Sequence, residues 1–274
     1  MEIQNNNVGF VAPYGTEYAE TASVINGFAL GVQAVNPNAT VYVKKLGVWA
    51  DEVNEAAFAK ELIDSFGCGV ISQHCDSAQP QIAAQNAGVF GCGYNADMTK
   101  DAPNAHLTAA LWNWNVYYKT AMEAAMKCET ADQFVTTMGG SAYYGGLKEG
   151  FVDVSPLSEN CAPNTEKAIE AVRKLIVEGK WDVFSGVKLS IAADGTVTQN
   201  NADLVDNTGK AGIDTESRHV GKVGMLFVQS VDFFYKIEHA LFVVGTLQCG
   251  EVKATEKSLF YLKCIILADA FKQA

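Results

Sequence analysis

Hydrophobic positions along the chain change their period several times, and each change marks an element. Val8–Ala12 is a short apolar run of strand length. From Glu17 to Val35, Tyr18, Ala22, Ile25, Ala29 and Val32 recur at three- and four-residue spacing, which keeps one face of a helix buried. Asn36-Pro37-Asn38 stops that helix. Thr40–Leu46 predicts the next strand, and a helix follows over Glu52–Phe66 with Phe58, Leu62, Ile63 and Phe66 as its buried stripe. Asp51 stands at its N-cap and Gly67 at its end. Cys68–Ser72, Val89–Gly93 and Leu107–Leu111 read as three further strands, with a helix over Ala78–Ala87. Asn115–Lys127 and Thr165–Glu178 are two more helices, the second capped by Asn164 and closed by Gly179.

Strands recurring at intervals of roughly 20 to 35 residues with helices between them need crossover connections, so the pattern predicts an α/β fold with a parallel sheet. Beyond about Asn207 the pattern loses its period. Val223–Val228 and Leu241–Gly245 read as strands, but Phe233-Phe234-Tyr235 and Cys264-Ile265-Ile266-Leu267 add apolar residues without a place in the sheet.

Composition narrows the classes. With 49% hydrophobic and 19% charged residues the chain is neither disordered nor coiled coil. A net charge of −11 offers no general basic face for phosphates, so no nucleic-acid partner is expected. The 7 cysteines contain no Cys-x-x-Cys pair and are read as small buried apolar residues. No uncharged apolar run reaches the ~18 residues a membrane span needs. The segment from Met1 to Asn7 has no basic region, no signal-length apolar run and no lipid-accepting cysteine.

Parallel sheets bind ligands at the carboxyl ends of their strands. The loops there are Pro13-Tyr14-Gly15, Gly47-Val48-Trp49-Ala50-Asp51, Gln73-His74-Cys75-Asp76-Ser77, Tyr94-Asn95-Ala96-Asp97 and Trp112-Asn113-Trp114-Asn115. Aromatic residues beside acids and amides suit a flat polar ring, stacked on its faces and held at its edge. The same aromatic residues can instead cap the core. His74-Cys75-Asp76 contains three metal-ligand types, but sequence neighbours rarely converge on one ion, so no metal site is expected. Cys75 with His74 is equally poorly placed as a nucleophile and base. Asp76 and Asp97 allow an acid–base pair for glycoside cleavage, weighed against a role as ligand acceptors. No dinucleotide fingerprint or P-loop occurs, and no cofactor is expected.

Several runs carry a family resemblance: Val8-Gly9-Phe10-Val11, Gly31-Val32 with Val35-Asn36-Pro37, Gln73-His74-x-Asp76-Ser77, Gly93-Tyr94-Asn95-Ala96-Asp97-Met98, and Leu107-Thr108 with Trp112-Asn113-Trp114. A later turn, Glu178-Gly179-Lys180-Trp181-Asp182-Val183-Phe184-Ser185-Gly186, belongs to the same set. Together, over about residues 7 to 205, they resemble the basic membrane protein family, the PnrA-like substrate-binding lipoproteins of ABC importers.

The resemblance implies a type I periplasmic-binding-protein-like α/β fold, a parallel-sheet lobe flanked by helices, with the second lobe incomplete. It implies a PnrA-like domain over residues 1–205 and a divergent segment over 206–274. It further implies a purine nucleoside or nucleobase as ligand, an ABC permease as partner, no catalysis, and a place at the extracytoplasmic face of the cell membrane. By motif, Asp97 would accept from ribose hydroxyls or an equivalent polar edge. Trp112 stands where nucleoside-binding members carry a lysine, which makes a free base such as adenine an alternative. Asp76, Asn95 and Trp49 would line the same cleft. A nucleoside hydrolase using Asp76 and Asp97, and a truncated copy without affinity, are the competing readings. With the family's first lobe absent, the helix over Asn115–Lys127 would lack much of the sheet it should cover.

Overall fold

The computed structural model describes residues 6–15, 18–140, 142–143, 145–185 and 187–200, and the strand segments 226–227 and 234–237. Strands β1 (Asn7–Ala12), β2 (Thr40–Lys45), β3 (Val70–Gln73), β4 (Phe90–Asn95) and β5 (His106–Trp112) lie parallel in the order β2-β1-β3-β4-β5. β6 (Val152–Val154) adds an antiparallel edge beside β5. β7 (Lys188–Ile191) and β8 (Val197–Asn200) form a separate hairpin. β9 (Leu226–Phe227) and β10 (Phe234–Ile237) extend the sheet antiparallel beyond β2, completing eight strands. Phe234 and Tyr235, without a place in the sequence pattern, therefore belong to a strand inside the sheet, and the edge is formed within the Val223–Val228 run. Leu241–Gly245 and Cys264–Leu267 fall outside the described residues.

The helices α1 (Ala19–Val35), α2 (Glu52–Phe66), α3 (Gln79–Asn86), α4 (Trp114–Ala125), α5 (Ala131–Thr137) and α6 (Thr165–Val177) complete the fold. Alternation along β1 divides the core. Val8, Phe10 and Ala12 share one core with Ile25, Phe28 and Val32 of α1, and with Ile169 and Val172 of α6 and Leu189 and Ile191 of β7. The Phe10 and Phe28 rings lie 4.9 Å apart. Val11 points the other way, into a core with Ala59 and Leu62 of α2, Ile71 of β3 and Ala84 of α3. α1 and α2 thus cover opposite faces.

Local signals set most boundaries. The Asp51 carboxylate accepts from the Asn54 amide at 3.1 Å, and Gly67 ends α2 in the left-handed region at φ 62. Asn164 occupies the N-cap position of α6, but its side chain does not cap. It sits at φ 70 and donates to the Ala193 carbonyl at 3.1 Å, tying the helix start to the turn between β7 and β8. Tyr18 lies outside α1 and is half exposed, because its ring joins a cluster at the sheet edge.

A buried amide network holds the carboxyl edge of the sheet. Gln81 Nε2 donates to Gln73 Oε1 at 2.9 Å, to the Cys92 carbonyl at 3.1 Å and to the Ile71 carbonyl at 3.3 Å. Gln73 Nε2 in turn donates to the carbonyls of Cys75, at 2.9 Å, and Ser77, at 2.6 Å. The loop after β3 is therefore clamped from inside. Glu55, fully buried on α2, accepts from the Asp51 amide at 3.0 Å and from the Ser77 hydroxyl, joining that loop to the one after β2.

α4 is the exception to burial. Trp114, Tyr118, Met122 and Met126 fall at four-residue spacing, one face of a helix, and are 50%, 58%, 66% and 86% exposed. Lysine at Met122 and Met126 together is expected to change folding stability by less than about 0.5 kcal/mol in urea unfolding, while reducing hydrophobic-dye binding. At Gly91 the outcome differs, because a Cβ there would lie 2.1 Å from Gln81 Oε1. Gly91→Ala is expected to cost about 1–3 kcal/mol in the same measurement, since the amide network cannot give way without losing bonds.

Candidate ligand-binding site

Strand order locates the crevice. The connection after β1 leaves along the α1 face, the one after β3 leaves toward α3 on the other face, and β1 and β3 are neighbours. The two loops part at this switch point and leave a crevice at the carboxyl ends of the strands. Thr21 Oγ1 donates to the Gly15 carbonyl at 2.5 Å and fastens the first loop to the start of α1.

Aromatic rings line one side. The Tyr14 ring centre lies 4.4 Å from that of Tyr18 and 5.0 Å from that of Trp49. Trp49, half exposed at the end of the loop after β2, stands edge-on to His74 at 6.5 Å. His74 is buried and stands edge-on to Tyr94 at 4.6 Å. A half-exposed indole beside buried rings offers a face for stacking.

Polar groups stand among these rings on both sides of the crevice. Asn95 is held in the left-handed region at φ 72, a conformation asparagine tolerates better than most residues, and its Nδ2 donates to Asp76 Oδ1 at 3.3 Å. Glu20, in the first turn of α1, places Oε1 3.9 Å from His74 Nε2. Its carboxyl is pushed above the usual range by partial burial and then by the negative charge of Asp76. Asp97 Oδ1 accepts from the Thr99 hydroxyl at 2.6 Å and the Thr99 amide at 2.9 Å, and lies 3.5 Å from Nε2 of buried His106. The Thr99 hydroxyl chiefly holds the Asp97 carboxyl below its usual range.

All five residues picked out by sequence lie along this edge: Trp49 after β2, Asp76 after β3, Asn95 at the end of β4, Asp97 just beyond it, and Trp112 at the end of β5. Asp76 and Asn95 meet directly. Trp112 packs into a second aromatic group, 5.5 Å from Phe151 and 6.2 Å from Trp114. Cys75 is fully buried with its thiol toward the Val11 carbonyl at 3.5 Å, while His74 Nε2 faces Glu20, so the two do not form a nucleophile–base pair. The residues that sequence reasoning passed over are Tyr18 and Glu20. Both read as helix positions, and only the strand order reveals that the helix starts at the crevice.

Comparison with known proteins identifies the family. A family model described as ABC transporter substrate-binding protein PnrA-like matches residues 3–183. A putative ABC transporter glucose-binding protein of Haloferax volcanii is 29% identical over 206 residues, covering 75% of this chain and 50% of that protein. A purine-binding protein of Brucella abortus is 34% identical over 167 residues, covering 61% of this chain and 45% of that protein. The chain thus spans about half the length of these relatives. An ABC transporter solute-binding protein from Conexibacter woesei superposes with a TM-score of 0.51 at 19% identity, over 65% of this chain and 57% of that one, a likeness of fold. With its family model matched over most of the described sheet, this chain belongs to the PnrA-like family of ABC transporter substrate-binding proteins.

Proposed function

We propose that the chain forms the ligand-holding lobe of an ABC importer's substrate-binding protein, and that it takes a purine nucleobase or nucleoside without altering it. The observation that carries this reading is Trp49, half exposed and buttressed by Tyr14, at the same carboxyl edge of the sheet as the hydrogen-bonded Asp76 and Asn95. An indole face takes a flat ring, and the carboxylates at Asp76 and Asp97 accept from its polar edge or from ribose hydroxyls. Trp112 closes the far end of the same edge. Family membership and the Brucella relative named for purine binding support the choice of ligand. Delivery to a permease at the extracytoplasmic face of the membrane follows from the family role. Among the described residues, no helix is long and apolar enough to cross a membrane.

A hexose is the second reading, favoured by the Haloferax relative named for glucose. Sugars also stack on indoles and donate to carboxylates, so titration decides. Calorimetry with adenine, adenosine, inosine and glucose is expected to give a dissociation constant of about 10 μM or tighter for at least one purine and no heat with glucose at about 1 mM. Trp49→Ala is expected to weaken purine binding by about 1–3 kcal/mol, the usual worth of a base–aromatic stack. Heat with glucose alone would move the assignment to sugars. Release of free base from adenosine during the titration would make the protein an enzyme.

A further inference from the structure

We propose that Glu20 contacts the ligand and, with Asp76, selects ligand edges that present an amino group over edges that present a carbonyl. The inference rests on the purine reading above and concerns which purines the crevice takes. Glu20 stands on the element that follows β1, and His74 and Asp76 stand on the loop that follows β3. The two elements leave the sheet on opposite faces, so their facing side chains flank the crevice rather than pack against one another. Glu20 Oε1 lies 3.9 Å from His74 Nε2, beyond a direct hydrogen bond, and the carboxylate remains about half exposed toward the crevice mouth. The charge of Asp76 reaches Glu20, and no ion pair among the described residues joins a lysine or arginine to either of them.

Two carboxylates flanking one crevice are acceptors only. An exocyclic amino group placed between them satisfies both with charge-assisted bonds, whereas a carbonyl at the same place meets like partial charge on two sides. Adenosine and inosine differ along this edge, with an amino group at C6 and a bare N1 acceptor in the first, and a carbonyl at C6 and an N1–H donor in the second. Their affinity ratio therefore reads the selectivity directly. Asn95 contributes by engaging Asp76 Oδ1 with an amide donor, which fixes that carboxylate in orientation.

The test is calorimetric titration of the whole chain and of Glu20→Gln with adenosine and inosine, with thermal unfolding as a check on folding. Glutamine keeps the shape of Glu20 and removes its charge, so the melting temperature should stay within a few degrees. The expected result is a preference for adenosine in the parent protein that shrinks about tenfold in Glu20→Gln, with inosine affinity held within about twofold. Equal loss for both ligands, or no loss for either, overturns the selective role of Glu20 while leaving purine binding in place. Absence of purine binding in the parent protein overturns both.

Discussion

The candidate site depends on the Gln73–Gln81 pair of buried side-chain amides. Five hydrogen bonds from their two nitrogens hold β3, β4 and the loop that carries His74 and Asp76 in one rigid unit. The arrangement is expensive to disturb, because each amide is out of contact with water and every broken bond leaves a buried polar atom. It also explains Gly91, where a side chain would collide with the Gln81 amide. Glu55 extends the same frame to the loop of Trp49, through the Asp51 amide and the Ser77 hydroxyl. Loops that must present a ligand surface are ordinarily the softest part of an α/β fold, and here polar bonds from beneath stiffen them.

Upon this frame the crevice combines two unlike walls. Tyr14 and Tyr18 each meet Trp49 edge-on and lie tilted against one another, so the exposed indole needs no ligand to keep its orientation. Beside them, Glu20 after β1 and Asp76 after β3 supply acceptors, with the Asn95 amide engaging Asp76. Asp97 stands apart in its own turn, held by Thr99 and near buried His106, which leaves Oδ2 with no donor among the described residues. Preorganised acceptors of this kind suit a ligand held in its ground state.

Much of the fold was legible because local signals and burial agreed. Asp51, Gly67 and Gly179 marked helix ends where the backbone indeed turns, and the apolar spacing of Ile25, Ala29 and Val32 matched the buried face of α1. Three features escaped. The β7–β8 hairpin has four residues a strand, with alternation in β7 and no buried position in β8, too little to stand out. β6 is three residues long and is defined by its partner β5. Glu20 looks like any acid in a first helical turn, where the helix dipole favours it. Its place at the crevice follows from β1 lying next to β3, and pairing across 60 residues of chain leaves no local trace. The five candidate residues could be picked out because they lie on or just beyond strand ends, which the hydrophobic pattern does mark.

The central claim is that ligand enters the crevice between the loops after β1 and β3. A crystal structure of the protein saturated with adenosine tests it most directly. The account predicts the purine ring against Trp49, with its amino edge toward Glu20 and Asp76. A ring stacked instead within the second aromatic group, between Trp112 and Trp114, would contradict it and move the site to the β5 edge of the sheet.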